Sequence, residues 1–300
     1  MDSEPLVSVG IPCYNRPEGL RRTLECITGQ TYKNLEIIVS DNCSPNPDVE
    51  KVGREFESKD LRVRYCRQSV DIGLFPNFQF LVEQATGTYF MWAADDDLLD
   101  ENYIELLMEI HYKKEYSLVG ANWNLESPSG IIKNLIDLPD VFWGEINPNY
   151  GALKLFLTTP HFKTSKQSLI YGIYNRDKLL EYFISKRQGF FPDLIDIGSD
   201  LIIIYAMICN GPVYVLNKKI WIHHIDYEVT ELTLYGKLRK VLAIFRNILF
   251  KKKKYHHEIN MYIREIKDLS EKCIDGSSER IMLYFYIALY KLKLKYWYYL

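Results

Sequence analysis

The 300-residue sequence is 47% hydrophobic and 25% charged with a net charge of −2, the profile of a globular chain with a large core rather than of a disordered tail. Its six cysteines, at positions 13, 26, 43, 66, 209 and 273, include no CxxC pair, which argues against a zinc ribbon and against a disulfide-stapled secreted module. The longest apolar stretches, Leu201 to Cys209 and Ile281 to Tyr290, are about ten residues, roughly half of what a bilayer-spanning helix needs. The acidic start MDSEPLVSVG lacks the regions of a signal peptide, and a cytoplasmic protein is expected.

In chain order, apolar β-rich runs alternate with helical patterns. Leu6 to Ile11 precedes a helix after Pro17, and Leu35 to Ser40 precedes Asp48 to Phe56. Arg62 to Cys66 precedes Phe78 to Ala85, and Tyr89 to Ala93 precedes Asn102 to Tyr112. This βαβ rhythm predicts an α/β fold: a Rossmann-like, mainly parallel sheet flanked by helices, with function at the carboxyl ends of its strands. Beyond residue 116 the spacing predicts a hairpin from Leu118 to Leu125 and Ile131 to Leu135, then a loop-rich stretch to about residue 167. A strand from Ser168 to Tyr174, helices over Arg176 to Lys186 and Asp200 to Cys209, and a last strand or hairpin over Val213 to Ile222 complete the pattern.

Charge divides the chain. Residues 1–232 hold 22 Lys and Arg against 33 Asp and Glu, whereas residues 233–300 hold 15 against 6, so the parts carry −11 and +9. An α/β domain over 1–232 is therefore expected to carry a basic helical extension over 233–300 that meets something anionic.

Four polar features fall where this architecture would place a site. The loop after the first strand reads Ile11-Pro12-Cys13-Tyr14-Asn15-Arg16-Pro17, and Asp41-Asn42-Cys43-Ser44 closes the second strand. Such residues also favour turns by themselves. Asp95-Asp96-Asp97 follows Tyr-Phe-Met-Trp-Ala-Ala. Three adjacent carboxylates repel one another, and a hard cation such as Mg²⁺ or Mn²⁺, usually shared with substrate phosphates, relieves the repulsion. A competing explanation is that they cap the next helix. Last come Gly198-Ser199-Asp200 at a helix start, where Asp200 is either a cap or a general base, and the His223-His224 doublet at a strand end.

Taken together, Val-Ser-Val-Gly-Ile-Pro-Cys-Tyr-Asn-Arg, then Gln30-Thr31-Tyr32-Lys33-Asn34-Leu35-Glu36-Ile37-Ile38-Val39-Ser40-Asp41-Asn42, then Ala85-Thr86-Gly87-Thr88-Tyr89 and the Asp triplet resemble the family 2 glycosyltransferases of GT-A fold. The likeness covers residues 6 to 115 and extends more weakly to about 225. It implies a nucleotide pocket of Pro12, Tyr14 and Asn15, with Asp41 on the base and Asn77 beside it. The triplet matches the family's DxD-type motif, which implies Asp95 toward the ribose and Asp96 and Asp97 on Mn²⁺ or Mg²⁺. The motif's usual first acid is Ala94 here. Asp200 matches the family's catalytic base, with Ser199 where a Glu is common, and His224, or its neighbour His223, matches a histidine that closes the metal shell in some members.

The resemblance implies an inverting transfer of sugar from a nucleoside-diphosphate sugar to a saccharide or lipid-linked saccharide acceptor, in cell-surface polysaccharide or glycolipid assembly. In the extension, Leu234, Leu238, Val241, Leu242, Phe245, Ile248 and Leu249 form a helical stripe before Lys251 to Lys254. This basic amphipathic pattern predicts either peripheral contact with the anionic inner face of the cell membrane or packing on the catalytic domain or a second subunit. A sugar nucleotidyltransferase is the rival enzyme, but its Gly-rich first loop is missing and no GxxxxGK[ST] occurs. A catalytically silent sugar-nucleotide-binding scaffold is the rival outside enzymes. No nucleic-acid partner is expected, because the basic residues accompany an apolar stripe.

Overall fold

Strands β1 (Val7–Cys13) and β2 (Leu35–Asp41) are buried along nearly their whole length. Their Val and Ile runs suit strands covered on both faces. The computed structural model describes residues 4–94, 97–127, 130–132, 142–159, 169–185, 199–224, 259–274 and 276–299. Between the first two strands runs α1 (Pro17–Thr28), opened by a proline whose missing N–H costs nothing there. It buries Leu20, Leu24 and Ile27 at helical spacing. α2 (Pro47–Lys59) is capped by the Asn46 side chain, which accepts from the Asp48 amide. β3 (Val63–Arg67), α3 (Leu74–Gln84) and β4 (Tyr89–Trp92) complete the first half. α3 starts four residues ahead of the expected Phe78, which places Asn77 in its first turn.

A short β5 (Asp97–Leu99) precedes α4 (Tyr103–His111). β6 (Leu118–Ser127) and β7 (Gly130–Ile132) form the expected antiparallel hairpin. The stretch expected to be irregular contains β8 (Gly144–Ile146) and α5 (Tyr150–Thr158), the latter capped by Asn149. The strand expected over 168–174 shrinks to β9 (Ile173–Asn175), because the Gly172 amide turns back onto the Leu169 carbonyl. α6 (Arg176–Ser185), α7 (Ser199–Asn210), β10 (Val213–His224), α8 (residues 259–273) and α9 (Ser277–Tyr299) follow.

All but β7 and β8 lie on one path, β3-β2-β1-β4-β9-β6-β10-β5. The first four strands are parallel throughout, β9 inserts antiparallel between β4 and β6, and β6 and β10 pair parallel again. One face packs under α1, α2 and α4. The other packs under α3, α5, α6 and α7, and the same core takes in Tyr262 and Ile266 of α8 and Leu283, Ile287 and Tyr290 of α9. The last two helices therefore share a core with the sheet rather than forming one of their own.

Candidate active site

The chain passes from β1 to β2 and β3 on one side of β1, then returns to place β4 on its other side. The strand order thus reverses at β1 and β4, and the carboxyl ends of strands at such a reversal are the usual ligand position in an open α/β sheet. The segments that follow these two strands are Tyr14 to Arg16 and Ala93 to the acid triplet. Register then places Cys13 beside Asp41 and Asp41 beside Arg67.

Pro12 is buried within β1, whereas Tyr14 is 48% exposed. Asn15 takes the left-handed conformation (φ 61°), which Asn tolerates better than most residues. Its amide donates to the Ser44 hydroxyl at 2.8 Å, tying the first loop to the second. Cys43 has the same φ of 61°. That is an uncommon conformation for a cysteine, and the 2.8 Å bond from its amide to the Asp41 carbonyl supports it.

Asp41 is fully buried, and its carboxylate is already engaged. Oδ1 accepts from the Ser44 amide at 2.8 Å, and Oδ2 accepts from the Tyr65 hydroxyl and from Arg67 Nη1, both at 2.6 Å. Asp41 thereby fixes Arg67, whose side chain is 32% exposed. Burial and the facing Asp41 carboxylate hold the Tyr65 hydroxyl well above its usual pKa, so it stays a donor. Asn77 is buried as well. Its Oδ1 accepts from the Ser40 hydroxyl at 2.6 Å and its Nδ2 donates to the Ser40 carbonyl at 3.1 Å, which clamps α3 to the end of β2 rather than lining a cleft.

The described residues on either side of the acid triplet are tied to α1 and to the turn that follows it. The Thr23 hydroxyl donates to the Ala94 carbonyl at 2.9 Å. One turn on, the Cys26 thiol donates to the Leu99 carbonyl at 3.1 Å and receives the Leu99 amide at 3.2 Å. Gln30 then donates to the Asp100 carbonyl at 2.8 Å and accepts from the Ile104 amide at 3.2 Å. Thr23 and Cys26, three residues apart, share one face of α1, and Gln30 lies two residues beyond its end. The approach to the triplet is pinned too: Glu36 on β2 accepts from the Ser8 hydroxyl, the Thr86 amide and hydroxyl and the Gly87 amide. A Cβ at Gly87 would lie 2.6 Å from the Leu6 carbonyl.

Asp95 and Asp96 lie outside the described residues, as does the stripe from Leu234 to Leu249 with Lys251 to Lys254. Asp97 does not cap a helix; it opens β5, which pairs antiparallel with β10 so that Asp97 stands opposite His223. His224 is one position further, opposite Glu126 on β6. Backbone register thus brings a carboxylate-bearing position and an imidazole-bearing one together, a donor chemistry that fits Mn²⁺ or Mg²⁺. Among the described residues no group of three potential ligands is assembled.

Asp200 lies in the first turn of α7 and is half-buried. Burial pushes its carboxyl up from its ordinary 3.8 to about 6, and the backbone amides of Leu201 and of Asp200 itself offset part of that rise. Its charge is felt at the buried Tyr174 hydroxyl, and the Tyr174 ring packs edge-on to Trp92 at the end of β4, 5.3 Å between centroids. Tyr65, Arg67, Thr23 and Cys26 were not singled out from the sequence. Only Gln30 stood within a motif.

The family model for glycosyl transferase family 2 matches residues 8–172. Glycosyltransferase GlyA of Streptococcus pneumoniae is 25% identical over 261 residues, covering 81% of this chain and 37% of that protein. The GalNAc(5)-diNAcBac-PP-undecaprenol β-1,3-glucosyltransferase of Campylobacter jejuni is 31% identical over 130 residues, 43% of this chain and 41% of that one. The chain thus spans well under half the length of these curated relatives. Among solved structures, S. aureus TarS 1–349 in complex with UDP-GlcNAc superposes with a TM-score of 0.60 at 14% identity, over 97% of this chain and 91% of that one, a likeness of GT-A fold.

Proposed function

Since the chain belongs to glycosyl transferase family 2, we propose that it is an inverting glycosyltransferase moving a hexosyl or related sugar from a nucleoside-diphosphate donor to an acceptor hydroxyl. The observation that carries this reading is the reversal of strand order at β1 and β4, with Tyr14 and Asn15 following β1 and the acid triplet following β4 in the sequence. The UDP and UDP-GlcNAc complexes of TarS support a uridine diphosphate sugar as the first donor to try. The undecaprenol-linked substrate in the name of the Campylobacter relative supports a lipid-linked saccharide acceptor. With it goes peripheral association of residues 233–300 with the anionic inner face of the cell membrane.

In this scheme Pro12, Tyr14 and Asn15 frame the nucleotide, and Arg67, held by Asp41, presents a cation at the rim of the pocket. Asp95 faces the ribose, and Asp96, Asp97 and His223, favoured over His224 by register, would hold Mn²⁺ or Mg²⁺. When bound, the cation neutralises negative charge on the diphosphate leaving group. Asp200 takes the proton from the acceptor hydroxyl as its oxygen attacks the anomeric carbon opposite the leaving group, so one displacement inverts the configuration. Its pKa near 6 leaves it ionised at neutral pH yet basic enough to share that proton. Alignment and pre-set dipoles then supply most of the rate.

The test is nucleoside diphosphate release from a panel of nucleotide sugars with Mn²⁺, Mg²⁺ or EDTA. Release of one diphosphate that EDTA abolishes, lost in Asp96→Ala and Asp200→Asn, is the expected result. Absence of both release and calorimetric donor binding across the panel would overturn it.

A further inference from the structure

α9 has two apolar faces, and among the described residues only one is covered. Leu283, Ile287, Tyr290 and Leu294 are buried in the core beneath it. The other face exposes Ile281, Met282, Phe285, Leu289 and Leu292, between 39% and 68% accessible, with Ala288 among them. Steps of four, three and one residues keep these six on a single stripe along three turns of helix. A contiguous run of exposed large apolar side chains marks a surface that meets something. The next steps of four and three along the helix backbone reach Tyr296 and Tyr299.

Charge identifies the occupant. α9 carries Arg280, Lys291, Lys293 and Lys295 against Glu279 alone, within an extension of net +9. A second copy laid along this helix would bring like charge to like charge, whereas an anionic lipid surface neutralises it and accepts the stripe into the acyl boundary. Beyond Leu292 the helix carries Tyr296, Trp297, Tyr298 and Tyr299, residue types that favour the headgroup region. Three lysines near that end oppose a spanning arrangement, and among the described residues no helix is long and apolar enough to cross a membrane. We infer that the stripe from Ile281 to Leu292 on α9 docks flat on an anionic phospholipid bilayer. This rests on the membrane part of the proposed function and is independent of the transfer chemistry.

The experiment is flotation of the full chain with vesicles of phosphatidylcholine alone or with about 30% phosphatidylglycerol, alongside a Phe285→Ser/Leu292→Ser variant. Thermal melting, light scattering and donor binding are measured on both. The inference expects at least tenfold more binding to the anionic vesicles, lost about tenfold in the variant, with melting temperature, mass and donor binding unchanged. Full vesicle binding by the variant would overturn the assignment to α9 and leave membrane association to another segment. No vesicle binding by the parent chain would sink the membrane reading as well. A parent dimer that the variant abolishes would make the face a contact between copies, and a large fall in melting temperature would mean that the chain's own residues cover it. Failure of diphosphate release with vesicle binding intact would strike the transferase reading alone.

Discussion

Asp200→Asn should make the protein more stable and nearly inactive, and the stabilisation should depend on pH. Burial raises the folded-state pKa from 3.8 to about 6, so the folded state binds this proton more tightly than the unfolded chain does. Below about pH 4 both states are protonated and the effect vanishes. Between about pH 4 and 6 stability falls because the carboxyl ionises in the unfolded chain while the buried one keeps its proton, and above about pH 7 the penalty is complete. Two units at ~1.36 kcal/mol each give about 3 kcal/mol. Water at the partly exposed carboxyl reduces this to about 1–2 kcal/mol, or roughly 2–6 °C in melting temperature for a chain of this size. Asparagine keeps an oxygen for the Leu201 amide but cannot titrate. Turnover should drop by about 10²–10⁴, the usual worth of a general base, while donor affinity stays within about twofold. Parent turnover should rise with pH to a plateau above about 6. Melting curves and turnover from pH 4 to 8 provide the check. Equal melting temperatures at pH 7.5, or a difference that persists unchanged at pH 4, would refute the burial argument; normal turnover with lost donor binding would refute the base.

Two further substitutions test how the site is held. Gly53→Ala on α2 would put a methyl group 2.1 Å from the Tyr65 ring. The ring must move, at a cost of about 1–3 kcal/mol. Because Tyr65 and Arg67 share the Asp41 carboxylate, weaker calorimetric donor binding should accompany the lower melting temperature; unchanged binding would separate that cluster from the pocket. Gln30→Leu leaves the Asp100 carbonyl and Ile104 amide without their partner and should cost about 2 kcal/mol. Hydrogen exchange should rise selectively at residues 97–104, and a uniform rise over the sheet would reduce Gln30 to a general core residue.

The alternation of Val-rich strands and amphipathic helices made the first half of the fold legible, because a parallel sheet buries whole strands and leaves a strong apolar signal. β5, β8 and β9 were not legible as built. Each is three residues long, too short for periodicity, and depends on distant partners such as β10. The candidate site divides in the same way. Loops at strand ends show in the sequence as polar residues after apolar runs, which revealed Tyr14, Asn15, Asp41 and the triplet. Whether such a residue faces outward or into the interior is decided by donors far away in sequence. Tyr65 and Arg67 engage Asp41, and Ser40 engages Asn77, and no local pattern announces either. Thr23 and Cys26 read as the ordinary polar edge of an amphipathic helix until the fold sets that edge against Ala94 and Leu99, and Gln30 just past the helix end meets Asp100 only in the fold.

That edge bears on how an acid triplet can exist at all before any cation arrives. Three neighbouring carboxylates push the local backbone apart, and a loop free to yield would lose the geometry it needs for a diphosphate. α1 grips the carbonyl just before the triplet and both backbone groups of Leu99 just after it, while β10 holds Asp97 itself in a ladder. The described backbone on either side of the triplet is therefore fixed by a helix and a strand. The same helix also serves the loop after β1, since α1 begins directly after Asn15 and Arg16. One helix thus sets the spacing between the two loops at the strand-order reversal, and a change on its inner face should alter both.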